Sequence, residues 1–80
     1  MVVREERLSK EARIMKVEIE RETDGRWIAE IPDLPGVMAY GKTRKEAVAR
    51  AKALALRVLA DRLEHGDRIP ELGDIFAVAR

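Results

Sequence analysis

Residues 16–22, KVEIERE, alternate between apolar and charged positions. Val17 and Ile19 point one way; Lys16, Glu18, Glu20 and Glu22 point the other. A period of two predicts a strand with one wet face. Asp24-Gly25 follows, and Asp-Gly between two alternating runs predicts a hairpin, because the tight turn needs a positive φ that glycine supplies. The second run, residues 26–31, places Trp27, Ala29 and Ile31 on one face and Ile28 and Glu30 on the other. Pro32-Asp33-Leu34-Pro35-Gly36 must end that strand, since two prolines fix φ and remove amide donors. Residues 37–41, VMAYG, form a short third strand with Val37 and Ala39 on one side and Met38 and Tyr40 on the other.

From Thr43 the period changes to that of a helix. Thr43-Arg44-Lys45-Glu46 is a capping box, in which the Thr hydroxyl takes the Glu46 amide and the Glu carboxylate reaches back to the Thr amide. The helix extends to about His65, and Gly66 ends it as a left-handed cap. Residues 67–73 form a turn-rich connector, and residues 74–79, DIFAVA, a last short strand covered on both sides. Residues 3–14, VREERLSKEARI, offer only Leu8, Ala12 and Ile14 as helix contacts after Val3. They read as a short helix or arm with basic positions at Arg4, Arg7, Lys10 and Arg13. The domain organisation is thus an arm over residues 1–14 and one domain over residues 15–80.

At about 100° per residue the helix carries two apolar stripes. Ala47, Val48, Ala51, Leu54, Ala55 and Val58 form the stripe expected to pack on the sheet. Ala49, Ala53, Leu56, Ala60 and Leu63 lie on the opposite side, where a helix on one face of a sheet would expose them. Burying Leu56 and Leu63 would contribute roughly 1.5–3 kcal/mol each, so this stripe is the candidate oligomer interface. Composition points the same way. An 80-residue chain makes one small, marginally stable core, and with no Cys neither a disulfide nor a thiolate zinc site can reinforce it, which leaves association as the remedy. A dimer or tetramer is the expectation.

Composition also removes function classes. Lys+Arg number 16 and Asp+Glu 15, a net charge of +1, so the one-signed surface of a nucleic-acid-binding domain is missing. Any nucleic-acid contact would fall to Arg4, Arg7, Lys10 and Arg13. One His and one Ser leave almost no room for a nucleophilic pair. No apolar run reaches membrane-spanning length and no signal-peptide core opens the chain, so a cytoplasmic location is expected. The absence of Asn and Gln, with 11 Arg to 5 Lys, fits a thermophile or a GC-rich genome.

The order strand, Asp-Gly turn, strand, Pro-Asp-Leu-Pro-Gly, strand, capped helix, strand resembles the HicB family, the antitoxins of prokaryotic HicA–HicB toxin–antitoxin pairs. The matching residues are Val17-Glu18-Ile19-Glu20, Asp24-Gly25-Arg26-Trp27, Ile31-Pro32-Asp33-Leu34-Pro35-Gly36-Val37, Tyr40-Gly41-Lys42-Thr43 and Glu46-Ala47, covering about residues 15 to 65. The resemblance implies an α+β class with a partial ribonuclease-H-like β-β-β-α-β fold: three antiparallel strands, one long helix on one face and a short C-terminal strand. It also implies a binding protein that neutralises a HicA-type, mRNA-cleaving toxin by direct contact. Typical HicB proteins carry a second, DNA-binding domain. Only 14 residues follow Gly66, so the expectation is a single-domain form without an operator-binding module.

Chemistry on such a fold would need several carboxylates converging on a metal pair. Glu18 and Glu20 point away from the helix side, Glu46 is taken by the cap, and Asp74 stands apart. No catalytic or metal-binding residues and no cofactor are expected, and the protein is not expected to be an enzyme. His65 at the last helical turn is placed to favour the helix C-terminus as a cation. Trp27 and Phe76 read as core, which leaves Tyr40 alone where a stacking platform for RNA needs several aromatics. The acidic residues Glu18, Glu20, Glu22 and Glu30 are instead the candidate surface for a basic toxin, with Asp33 in the proline-rich turn as a second contact. The alternatives are a stand-alone oligomeric domain of the same kind, or a small domain of the double-stranded-RNA-binding type, whose helix–three strands–helix order and basic last-helix start, here Arg44 and Lys45, the chain also offers.

Overall fold

The computed structural model describes residues 14–69 and residue 79. Three strands, β1 (Glu18–Arg21), β2 (Trp27–Glu30) and β3 (Met38–Gly41), precede one helix, α1 (Arg44–Glu64). The sheet has the order β1-β2-β3, both pairs antiparallel. Glu18 pairs with Glu30 and Arg21 with Trp27; across the other seam Ala29 pairs with Ala39 and Trp27 with Gly41. The α+β class, three antiparallel strands and one long helix agree with the expectation. Each strand is shorter than its alternating run, because pairing stops where the turns begin. The C-terminal strand at 74–79 and the arm at 1–14 lie outside the described residues, Ala79 and Ile14 apart.

The β1–β2 connection is a turn at Glu22–Gly25, closed by the Gly25 N–H donating to the Glu22 carbonyl at 2.9 Å, with Gly25 at φ +93°. The Glu22 N–H then donates to the Arg26 carbonyl at 2.7 Å. Asp24 holds the return limb: its carboxylate accepts from the Arg26 backbone N–H at 3.0 Å and from Arg26 Nε at 2.8 Å. The Arg26 backbone hydrogen bond, aided by the guanidinium, holds the Asp24 carboxyl below its ordinary pKa.

The Pro-Asp-Leu-Pro-Gly segment is two successive turns inside one clamp. The Leu34 N–H donates to the Ile31 carbonyl at 2.9 Å, and the Val37 N–H donates to the Leu34 carbonyl at 3.0 Å. The second turn has Pro35 ahead of Gly36 at φ +88°, the pairing a type II turn requires. The Ile31 N–H donates to the Val37 carbonyl at 3.0 Å and closes the clamp. Leu34 is fully buried between the turns, so the loop is pinned to the core by its middle residue.

α1 packs on one face of the sheet through Ala47, Ala51, Ala55 and Leu59. Val48, Leu54 and Val58 flank that line half-buried, as their stripe predicts. Leu59 joins the buried line although it was not assigned to the stripe. Small residues meet at the centre, where Ala29 and Ala39 of the sheet lie under the helix alanines. Ile31, Leu34, Val37, Leu59 and Ile69 complete the core, with Met15, Val17 and Trp27 packed partly buried against it. A Cβ on Gly41 would lie 2.5 Å from the Ala47 backbone nitrogen, so the end of β3 touches the helix backbone directly. The Glu46 N–H donates to Thr43 Oγ1 at 3.0 Å, as the capping box predicts. The reciprocal arm differs: Glu46 accepts from the Lys42 N–H at 2.6 Å rather than from that of Thr43. At the other end Gly66, at φ +78°, donates to the Leu63 carbonyl and Asp67 to that of Arg62, a Schellman closure.

Candidate functional site

Alternation along three paired strands sorts every sheet residue onto one of two faces. Ile19, Ala29 and Ala39 face the helix. The other face carries two complete cross-strand rows, Glu18–Glu30–Met38 and Glu20–Ile28–Tyr40. Glu18, Glu20, Ile28, Glu30 and Met38, with Ile19 between the first two, line a shallow depression of about 450 Å³ on this face. Three of the four candidate glutamates, Glu18, Glu20 and Glu30, therefore come together around Ile28 and Met38, and Glu22 does not join them. Asp33 is exposed in the proline-rich turn and does not line the depression. Glu22 is half-buried at the hairpin turn.

Carboxylates dominate the middle of this face, and Arg26 stands at its hairpin end. Glu18 stands directly opposite Glu30, an arrangement of like charges that costs stability. Among the described residues no salt bridge reaches Glu18, Glu20 or Glu30; the bridges formed are Arg26–Asp24, Arg50–Glu46 and His65–Asp61. Arg26, at the hairpin end, lies over the Tyr40 ring at 4.2 Å from its centroid while Asp24 holds its Nε. The face thus runs from a carboxylate-rich end at Glu18 and Glu30 to a capped aromatic at Tyr40. The Arg26–Tyr40 stack was not anticipated, although the even-numbered register that places Ile28 beside Tyr40 also places Arg26 on that face.

The opposite side of the molecule is the outer face of α1. Ala49, Leu56, Ala60 and Leu63 are exposed and Ala53 is half-buried; Leu56 is 68% and Leu63 54% exposed. The structure therefore brings all five residues of the second stripe to one helix face, which no other described element covers. Arg44, Lys45 and Lys52 lie around Val48 and Ala49 at its N-terminal end. His65 caps the helix, its Nδ1 2.8 Å from the Asp61 carbonyl. Arg4, Arg7, Lys10, Arg13 and Phe76 lie outside the described residues. Among the described residues no three His, Asp or Glu side chains gather to hold a metal ion, and no helix is long and apolar enough to cross a membrane.

Comparison with known proteins places the chain in a family. The UPF0150 protein Ta0767 of Thermoplasma acidophilum is 33% identical over 52 residues, which is 65% of this chain and 75% of that protein. The chain belongs to the UPF0150 family. No family profile matches it, and no solved structure matches it. This UPF0150 protein presents two contrasting faces: a sheet face on which Glu18, Glu20 and Glu30 lie beside Ile28 and Met38, and an apolar helix face with basic residues at one end.

Proposed function

We propose that this UPF0150 protein is a HicB-like antitoxin that neutralises a HicA-type, mRNA-cleaving toxin by direct contact in the cytoplasm. The observation that carries this reading is the sheet face, where Glu18, Glu20 and Glu30 surround Ile28 and Met38 and Glu18 directly opposes Glu30. A like-charge cross-strand pair is relieved when cationic side chains dock on it. A ribonuclease must present such side chains, because phosphate contacts supply most of its hold on RNA. Neutralisation is then steric: the antitoxin covers the basic surface that RNA would occupy, and complementary charge speeds the encounter. Asp33, beside the same end of β2, is the second contact. The sequence motifs on either side of this face, Asp24-Gly25 and Pro32 to Gly36, support the same reading through their resemblance to the HicB family.

The test is co-purification with the small protein encoded beside this chain, followed by RNA cleavage by that neighbour alone and in complex. A stable complex with suppressed cleavage is expected. No complex, or a neighbour without RNA cleavage, would overturn the antitoxin role and favour a self-associating domain.

A further inference from the structure

The outer face of α1 presents Leu56 and Leu63 to solvent beside Ala49, Ala53 and Ala60, on a helix whose other side is fully used by the sheet. We propose that this face is covered by the same face of a second copy, in a two-fold antiparallel helix pair whose axis passes beside Leu56. Three features choose this occupant.

The first is register. With the axis at Leu56, Leu56 meets its own copy, Ala49 falls level with the partner copy's Leu63, and Ala53 lies across from Ala60. Large residues then fall opposite small ones or on the axis, which lets the backbones approach.

The second is charge. In an antiparallel two-fold pair each flank of the stripe meets the same flank of the other copy. Arg50, Asp61 and Glu64 share one flank, within about 60° at 100° per residue. At about 1.5 Å per residue, Arg50 lies about 9 Å before the axis, and Asp61 and Glu64 about 7.5 and 12 Å after it. Each Arg50 therefore comes level with the gap between the other copy's Asp61 and Glu64. Arg57 meets its own copy near the axis, with Asp61 one turn away on the same flank. A parallel pair would instead set the Lys45–Lys52 flank against Arg50 and Arg57.

The third is exclusion. The sheet face is crowded with Glu18, Glu20 and Glu30, and its cation Arg26 is already engaged by Asp24 and Tyr40, so self-association is directed to the helix. The pairing rests on no property of a toxin and stands or falls apart from the antitoxin reading.

The chain has no cysteine, so an introduced thiol reports its own neighbours. In the full-length chain under oxidised glutathione, Leu56→Cys should link to itself roughly tenfold or more faster than Thr23→Cys in the exposed hairpin loop, since the axis raises its effective concentration. Ala49→Cys and Leu63→Cys should each link poorly alone and efficiently when mixed. By sedimentation the wild type should have twice the chain mass, and Leu56→Arg the chain mass with unchanged helix content. A monomeric wild type, Leu56→Cys no faster than Thr23→Cys, or efficient self-linking of both Ala49→Cys and Leu63→Cys would each overturn the proposal.

Discussion

Gly41 shows how much one missing methyl decides. Its φ is ordinary, but the site where a Cβ would stand is 2.5 Å from Ala47 N, a backbone atom that cannot swing aside. Gly41→Ala should therefore separate the end of β3 from the first turn of α1 and cost about 1–3 kcal/mol, read as a lowered denaturation midpoint at unchanged slope. Leu34 acts at the same scale in the opposite sense, filling rather than vacating space. Asp24 is the residue whose state depends on pH. Its folded pKa is depressed by the hydrogen bonds from Arg26, so its contribution is present above the ordinary aspartate value. That contribution should fade as pH drops below about 4. Asp24→Asn should flatten that acid limb in a pH titration of thermal stability, with little change at pH 7 because the group is exposed.

At the scale of elements, the β1–β2 ladder carries a built-in conflict. Glu18 opposite Glu30 puts like charges on adjacent strands in the pair most exposed to solvent. Replacing one of them, Glu18→Gln, should stabilise the isolated chain by about 0.2–1 kcal/mol, measured by denaturation at low salt, and the gain should shrink at high salt. A surface selected only for stability would have removed that pair, which is why it weighs toward binding. The helix, by contrast, is consistent throughout: a Thr43 cap with Glu46 beside it, an alanine line against the sheet, and a Schellman closure at Gly66. Thr43→Ala should cost about 1 kcal/mol through the lost bond to the Glu46 amide.

For the whole molecule the two docking faces are opposite in kind as well as in position. In the proposed assembly the sheet face rejects its own copy by charge, and the helix face accepts it by register. Both can be occupied at once because the sheet and its alanine-lined helix contact lie between them. If the sheet face takes a basic toxin, Glu18→Gln together with Glu30→Gln should slow association and reduce its dependence on salt, with a smaller effect on dissociation. Stopped-flow mixing across a salt series would read both. An unaltered rate would remove these residues from the interface.

Much of this was legible along the chain because the signals are local. Alternation in β1 and β2, Asp-Gly at the hairpin, prolines ending β2, the Thr43 cap and the Gly66 stop each act within a few residues, so the order of the three strands and the helix, the strand faces and the grouping of Glu18, Glu20 and Glu30 followed from periods of two and 3.6. Four features did not follow, because they depend on which strand lies beside which and how near. The opposition of Glu18 to Glu30 is set by the register that the hairpin turn imposes, one residue of slip being enough to break it. The contact of Gly41 with the helix backbone, the burial of Leu59 and the stacking of Arg26 on Tyr40 arise only once α1 is laid across the sheet and β3 beside β2. Sequence by itself determined which residues face together; the tertiary fold decided which of them meet, since distance between strands and helix is a property of packing and not of period.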